Sequence, residues 1–233
     1  MKIALLGYGR MGKEIEKIAL QRGHEIVIKD EGTAPYEITK ADIAIDFSVP
    51  TAAFTNISNC INNAVPVVSG TTGWLKKHDD VIELCHQKKG AFIYASNFSL
   101  GVNIFFELNA QLAKMMNSLN NYTIALEEIH HIKKLDAPSG TAITLAEGIM
   151  NNSSKTAWEL GGNTSKEIIP ITAKRIADVP GTHTVDYTSA VDSIQLKHTA
   201  HNRQGFALGA VVAAEWLQNK KGVYTMKDVL NIG

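Results

Sequence analysis

The side chains best suited to chemistry are concentrated in one stretch, Glu127-Glu128-Ile129-His130-His131-Ile132-Lys133-Lys134-Leu135-Asp136-Ala137-Pro138-Ser139-Gly140-Thr141-Ala142. Two histidines, two lysines and an acid fall at the end of a strand-like run and in the loop after it, and a helical pattern starts at Ser139-Gly140-Thr141. An imidazole exchanges a proton near neutral pH. Lys134 adds positive charge, and backbone amides at a helix N-terminus bind a carboxylate. The combination suits proton delivery to an anionic substrate. Successive strand residues face opposite sides, so only one of His130 and His131 should meet the reacting centre. A solvated basic loop followed by a capped helix uses the same residue types, so this stretch alone leaves both readings open.

A second constellation opens the chain. Gly7-Tyr8-Gly9-Arg10-Met11-Gly12 has the GxGxxG form and stands between an apolar run and a helical pattern. In that setting the first glycine allows a tight turn, the second lets a pyrophosphate approach the backbone, and the third permits close helix packing. Asp30 ends the next apolar run 18 positions after Gly12, near the ~20-residue offset at which an acid meets adenosine ribose hydroxyls. That residue favours NADH, whereas the cations Lys29 and Arg10 could accept a 2′-phosphate, so both NADH and NADPH remain open. Gly70-Thr71-Thr72-Gly73 follows Val67-Val68 at the carboxyl end of an expected parallel strand, where open α/β sheets place ligands. Ser96-Asn97-Phe98-Ser99 follows another such strand and is expected to form a hinge and a wall of the cleft.

These residues need strands and helices in alternation to hold them. Lys2 to Leu6 is a short apolar run, Ile15, Ile18 and Ala19 recur at helical spacing, and 25–30 reads as a second strand, which together make a βαβ unit. Runs at 43–47 and 65–70 precede helical patterns over 51–63 and 75–88, and a parallel sheet is the expected result. After 92–95 the texture changes. A helix over 102–119 leads into a strand over 122–131, and further strands are expected near 168–175, 183–188 and 192–198, with turn signals at Val179-Pro180-Gly181. Antiparallel pairing is the natural expectation for strands so closely spaced. A helix over 207–216 follows, and the tail at 222–226 is expected to return to the first domain.

Composition narrows the partners. The 233 residues carry 23 Lys plus Arg against 23 Asp plus Glu, so there is no basic excess for nucleic acid or an anionic membrane surface. No apolar run approaches the ~20 residues that span a bilayer, and no export signal precedes Gly7. Cys60 and Cys85 stand alone, without the spacing of a disulfide framework or a zinc site. The expectation is a cytoplasmic protein of one large or two small domains, with no metal.

At Glu128-Ile129-His130-His131, Lys134 and Asp136-Ala137-Pro138-Ser139-Gly140-Thr141-Ala142 the sequence resembles the signature of bacterial dihydrodipicolinate reductases, also called 4-hydroxy-tetrahydrodipicolinate reductases. The resemblance covers nearly the whole chain. It runs through Gly7 to Gly12, Asp46-Phe47-Ser48, Gly70 to Gly73, Asn97-Phe98-Ser99, Gly101-Val102-Asn103, Gly181-Thr182-His183, Arg203 with Phe206-Ala207, and the Met226, Asp228, Val229, Leu230 ending.

The resemblance implies an α/β protein. An N-terminal Rossmann dinucleotide-binding domain over 1–97 would be rejoined by 208–233. A C-terminal α+β domain over 98–207, with a mixed, largely antiparallel sheet, would bind substrate and support a homotetramer. It implies hydride transfer from NADH or NADPH to an unsaturated cyclic dicarboxylate, giving tetrahydrodipicolinate on the diaminopimelate route to lysine. By motif, His130 is the general acid, Lys134 the substrate-anchoring cation and His131 a substrate ligand, with Ser139, Gly140 and Thr141 on a carboxylate. Cofactor contacts fall to Gly7, Gly9, Arg10, Met11, Gly12, Asp30, Phe47, Gly70, Thr71, Thr72, Ser96, Asn97 and Phe98. One departure bears on the cofactor: residues 30–36 lead almost directly to the third strand, so a helix-bearing segment common in the family is missing. Lys29 precedes Asp30 and Glu31 follows it, and a second negative charge there should disfavour NADPH. Two rivals are a different Rossmann reductase, such as a homoserine or aspartate dehydrogenase, which leaves 130–141 without a role, and a dinucleotide sensor that has lost catalysis, against which intact His130 and Lys134 argue.

Overall fold

Strand β1 (Lys2–Leu6) is followed by helix α1 (Arg10–Gln21) and strand β2 (Glu25–Asp30), the expected βαβ unit. The structure, a computed structural model, describes residues 1–162, 165–202 and 204–232. Arg203, one of the residues that carry the resemblance, lies outside the described residues. From β2 the chain passes a single 3₁₀ turn at Ile38–Lys40 and enters β3 (Ile43–Asp46), α2 (Pro50–Asn62) and β4 (Val67–Ser69). Pro50 opens α2 at a position whose amide needs no helical partner. A 3₁₀ turn at Leu75–Lys77 precedes α3 (His78–Lys88), and β5 (Ala91–Tyr94) completes this half.

The chain divides into two compact units, Met1–Leu100 with Gln204–Gly233 and Gly101–Arg203, the boundaries lying a few residues from the expected 97/98 and 207/208. The second unit contains nearly all of α4 (Leu100–Met116), then β6 (Thr123–His130), α5 (Gly140–Met150), β7 (Ala157–Leu160), β8 (Ile168–Arg175), β9 (Gly181–Thr188) and β10 (Ser193–Ala200). Its sheet has the order β10-β9-β6-β8-β7. The sheet is mixed, and the antiparallel expectation holds for β6 with β9 and β9 with β10 but not for β6 with β8 or β7 with β8, which are parallel. The reason is the route: from β6 to β8 the chain crosses over through α5, which returns it in its original direction. β7 was not expected at all. Residues from α4 and α5 (Phe105, Ala113, Met116, Ala142, Leu145, Ala146, Ile149) and from three strands (Leu126, Ile169, Ile171, Val185, Tyr187) form this unit's core.

The chain then returns to the first unit, as expected of its tail, through α6 (Gln204–Leu217), β11 (Gly222–Tyr224) and α7 (Met226–Leu230), and β11 pairs parallel to β5. The finished sheet is six-stranded, in the order β11-β5-β4-β3-β1-β2, and every pair is parallel. Its central strands β1, β3, β4 and β5 are mostly apolar because both faces are covered, whereas the edge strand β2 carries Glu25, Lys29 and Asp30. Ile3, Leu5, Ile43, Ile45, Val68 and Ile93 pack with α1 and α6, and the alternate residues Ala4, Leu6, Ala44, Val67 and Phe92 pack with α2 and α3. Each fully buried Ile or Leu contributes about 1.5–3 kcal/mol. Two helical layers therefore hold the sheet rigid under the loops at its carboxyl edge.

Candidate active site

The expected cofactor residues of the first unit fall at the carboxyl ends of its strands, in the loops that follow them and in the first turn of α1. β1 has β2 on one side and β3 on the other, so the chain reverses its direction of travel across the sheet there, the position where open α/β sheets bind ligands. Gly7 has φ +95°, and the amides of Gly7 and Tyr8 both donate to the Asp30 carbonyl, at 3.1 and 2.9 Å, which ties the turn to the end of β2. A Cβ on Gly12 would lie 2.5 Å from the Gly7 carbonyl oxygen, whereas a Cβ on Gly9 would meet nothing within 4 Å. The third glycine therefore serves packing. The second leaves open space over the N-terminus of α1, which no side chain caps. Arg10 is exposed at that N-terminus and Met11 is half-buried.

Asp30 directs its carboxylate Oδ1 to the Gly32 amide, at 2.8 Å. Lys29, its neighbour, is engaged elsewhere: its ammonium is 2.6 Å from Glu16 Oε1 and lies over the Tyr8 ring, whose hydroxyl donates to Glu16. Phe47 follows β3, with its ring 5.7 Å from that of Phe98 and so close to Gly70 that a Cβ there would overlap it at 2.3 Å. Thr71 is buried, Thr72 and Ser96 are exposed, and Asn97 is half-buried with its Oδ1 accepting from the Ser99 amide at 2.9 Å.

One carboxylate in this region had no role in the sequence reading. Asp46 is fully buried, and it accepts hydrogen bonds from Ser48 Oγ (2.6 Å), Asn56 Nδ2 (3.1 Å), Ser69 Oγ (2.8 Å) and Thr71 Oγ1 (2.7 Å). It thereby links the loops after β3 and β4 that carry Phe47 and Thr71. An acid at the end of an apolar strand was the available signal.

In the second unit, β6 ends at His130, which is buried, while His131 is half-buried in the turn beyond, where its carbonyl accepts from the Lys134 amide at 3.0 Å. The two histidines are thus separated by the end of the strand as well as by its alternation. Lys134 extends its ammonium to both oxygens of Asp136, at 2.8 and 2.7 Å, and this holds the Asp136 carboxyl below its usual range. Ser139 caps α5, its hydroxyl accepting from the Ala142 amide at 3.2 Å. Gly140 and Thr141 are the first residues of the helix, at its electropositive end.

Around His130 the structure gathers three groups to which the sequence reading gave no role. Glu128, Arg175 and His183 all lie on its side of the sheet, with Glu128 Oε2 3.6 Å from His130 Nδ1 and Arg175 Nη2 3.0 Å from Glu128 Oε1. Burial, aided by Lys134 and Arg175, lowers the proton affinity of His130 against the opposing pull of Glu128 and Asp136. Burial also pushes His183 down to about 3, so that ring is neutral. Glu128, His130 and His183 bring possible metal-ligand atoms within 4.8 Å of one another. However, one Glu128 oxygen is bonded to Arg175 and the other to the Ser139 amide, and the guanidinium opposes a second cation.

A cavity of about 410 Å³ lies against this loop and is lined by Lys134, Leu135, Ala137 and Arg175 among others. A larger one of about 990 Å³ is at the far end of β6, lined by Thr123, Ile124 and Tyr187 among others, away from His130.

Comparison with known proteins gives the same family for both units. Residues 1–98 match the profile described as dihydrodipicolinate reductase, N-terminus, and residues 101–230 the profile described as dihydrodipicolinate reductase, C-terminus. A 4-hydroxy-tetrahydrodipicolinate reductase of Christiangramia forsetii is 57% identical over 99% of this chain and 98% of its own. One of Thermosipho africanus is 35% identical over the same shares. Among solved structures, the dipicolinate-bound dihydrodipicolinate reductase of a Paenisporosarcina species superposes with a TM-score of 0.76, at 23% identity and 97% coverage of both chains.

Proposed function

The chain belongs to the dihydrodipicolinate reductase family, and on that premise we propose how its own residues carry the reaction. It is an NAD(P)H-dependent oxidoreductase that reduces the cyclic dicarboxylate to tetrahydrodipicolinate, a step of lysine and diaminopimelate synthesis. The observation that carries the residue assignment is the convergence of His130, Lys134 and the N-terminus of α5 in a single strand-loop-helix segment. An acid, a cation and an anion-binding backbone are what a dicarboxylate awaiting a hydride and a proton requires.

The first unit fits a dinucleotide: the turn at Gly7 and Gly12 is packed so tightly that only hydrogens fit, and the space above Gly9 is open. When bound, the nicotinamide supplies the hydride. Gly7, Gly9, Arg10, Met11 and Gly12 receive the pyrophosphate and Asp30 the adenosine ribose, while Phe47, Gly70, Thr71, Thr72, Ser96, Asn97 and Phe98 line the way to the nicotinamide. Because Glu16 already pairs with Lys29, that cation is not available to a 2′-phosphate, and NADH is the preferred donor. On the substrate side Lys134 exchanges Asp136 for one carboxylate, the Ser139, Gly140 and Thr141 segment receives the other, and His131 adds a contact. His130 delivers the proton that must accompany the hydride. Its proton affinity is low in the free chain, and two substrate carboxylates raise it, so the acid is charged when the substrate arrives.

A homotetramer belongs to this reading. The described helices α4 and α5 contribute to the core on one face of the second sheet, and a neighbouring subunit would cover the other. So does a cytoplasmic location, consistent with two buried, unpaired cysteines; no described helix is long and apolar enough to cross a membrane. The direct test supplies the product of the preceding dehydratase and follows oxidation of NADH or NADPH. Turnover supports the reading, and cofactor binding without turnover replaces it with the sensor.

A further inference from the structure

The register of the second sheet brings an acid, a guanidinium and a second imidazole to the proposed general acid. β6 pairs with β9 so that Glu128 lies opposite His183, and with β8 so that His130 lies opposite Arg175. Residues 128 and 130 are two apart on a strand and so share a face. Glu128 is fully buried, and every strong partner it has belongs to the site. Its Oε1 accepts from Arg175 Nη2 at 3.0 Å, and its Oε2 accepts from the Ser139 amide at 2.9 Å. The same Oε2 is 3.6 Å from His130 Nδ1 and 3.9 Å from His183 Nε2. Among the described residues His130 Nδ1 is buried and has no hydrogen-bond partner of its own, so the Glu128 carboxylate is the acceptor it faces. Arg175 also donates to the carbonyls of Asp136 (2.7 Å) and Lys134 (3.3 Å), tying the loop that bears Lys134 to the same acid.

We propose that Glu128, held in place by Arg175, is the positioning residue of this reductase. It keeps a proton on Nδ1 of His130, so that Nε2 is the nitrogen that delivers the proton, and through the Ser139 amide it fixes the start of α5 in the same frame. The inference rests on His130 being the general acid.

Three observations support it beyond the distances. Burial alone would raise the Glu128 carboxyl, yet the hydrogen bonds from Ser139 and Arg175 outweigh it and hold the group ionised. A carboxylate facing one ring nitrogen of a histidine selects the tautomer and stabilises the charged ring. On the other side of the ring, a Cβ on Gly181 would lie 3.2 Å from His130 Nε2, so the glycine keeps the delivering nitrogen uncrowded. His183 meets the His130 ring edge-on, with centroids 4.9 Å apart at 69°, and its Nε2 is 3.1 Å from Ser139 Oγ, so it buttresses both ends of the arrangement.

The groups facing His130 are Glu128 on β6, Arg175 on β8, His183 on β9 and Lys134 with Asp136 in the loop. Glu128→Gln removes the buried negative member of this set, leaving only Asp136, which Lys134 already pairs, and it takes nothing from the first unit. The alkaline limb of the kcat profile, where His130 loses its proton, is expected to move to lower pH by about one to three units. On the plateau kcat should fall by about tenfold to a hundredfold, with NADH affinity unchanged. An unshifted limb overturns the proposal, whatever happens to kcat, because a merely structural loss does not change the acid's proton affinity. Nitrogen NMR of the histidines in the wild-type protein is the second measurement and needs no variant. The neutral His130 ring should carry its proton on Nδ1, and a proton on Nε2 overturns the proposal even if Glu128→Gln does not fold. His130→Ala separates the two layers: full activity in that variant removes the general-acid reading, whereas a shifted tautomer with His130→Ala inactive removes only the role of Glu128.

Discussion

Replacing Lys134 by methionine removes a charge while keeping much of the side chain's length, and the expected effect is a weaker hold on the dicarboxylate with cofactor binding untouched. In the unliganded chain the ammonium is already paired, at 2.8 and 2.7 Å from the two oxygens of Asp136. A substrate carboxylate must displace that partner. A charge-assisted contact is worth about 1.5–3 kcal/mol. The pair it displaces has an Asp136 side chain 61% exposed, and such surface pairs are worth about 0–1 kcal/mol. The difference, roughly 0.5–3 kcal/mol, corresponds to a rise of about two- to 150-fold in an inhibition constant.

Pyridine-2,6-dicarboxylate is the probe, being planar, doubly anionic and unable to accept the hydride productively. Steady-state inhibition should be competitive with substrate in the wild type and weaker at higher ionic strength, and Lys134→Met should show both the higher constant and a flatter salt dependence. Asp136→Asn is the control, since it frees the ammonium and should leave the constant unchanged or lower it. If the diacid fails to bind the wild type, or binds Lys134→Met equally well, Lys134 is not the anchor.

Gly9→Val should abolish dinucleotide binding while leaving the second unit folded, because the added side chain would fill the open space above α1; retained affinity by fluorescence titration would remove the cofactor-loop assignment. His130→Ala should lower kcat by about 10²–10⁴-fold with NADH binding intact, and His131→Ala should be milder; equal losses in the two variants contradict the placement of the acid at His130. Burial holds the proton affinity of His130 down in the free chain, and a dicarboxylate raises it, so the alkaline limb of kcat should lie about one unit or more above that of kcat/KM. Coincident or reversed limbs would count against charging by substrate. With Lys29 neutralised by Glu16, kcat/KM should be higher for NADH than for NADPH, and Glu16→Gln should narrow the ratio; a wild-type preference for NADPH refutes this account of the cofactor.

What the sequence displayed and what it hid divide by the range of the interaction responsible. β1, β3 and β4 were legible because strands buried on both faces are written as continuous apolar runs, and the His130 to Thr141 segment because acid, cation and helix start are neighbours along the chain. β7 was not, since Ala157–Leu160 is a half-exposed edge strand with two exposed residues and no apolar run to mark it. The parallel pairing of β6 with β8 was hidden because strand direction depends on the path of the crossover through α5, which strand spacing does not record.

Glu128 illustrates the limit most sharply. Its alternation with His130 was visible, and it implied a shared face. Its partners Arg175 and His183 lie 47 and 55 positions downstream, and only the register of two strand pairings brings them to it. A slip of one residue between β6 and β9 would turn His183 to the other face of the sheet and leave the buried carboxylate with one fewer neighbour. Register is held in turn by the apolar residues that share that face, Leu126, Val185 and Tyr187, all packed in the core beneath α4 and α5. The proton affinity of the proposed general acid therefore depends on hydrophobic packing that is distant in sequence and carries no chemistry itself, and a core substitution such as Val185→Ala should disturb the pH profile only to the extent that it loosens that register.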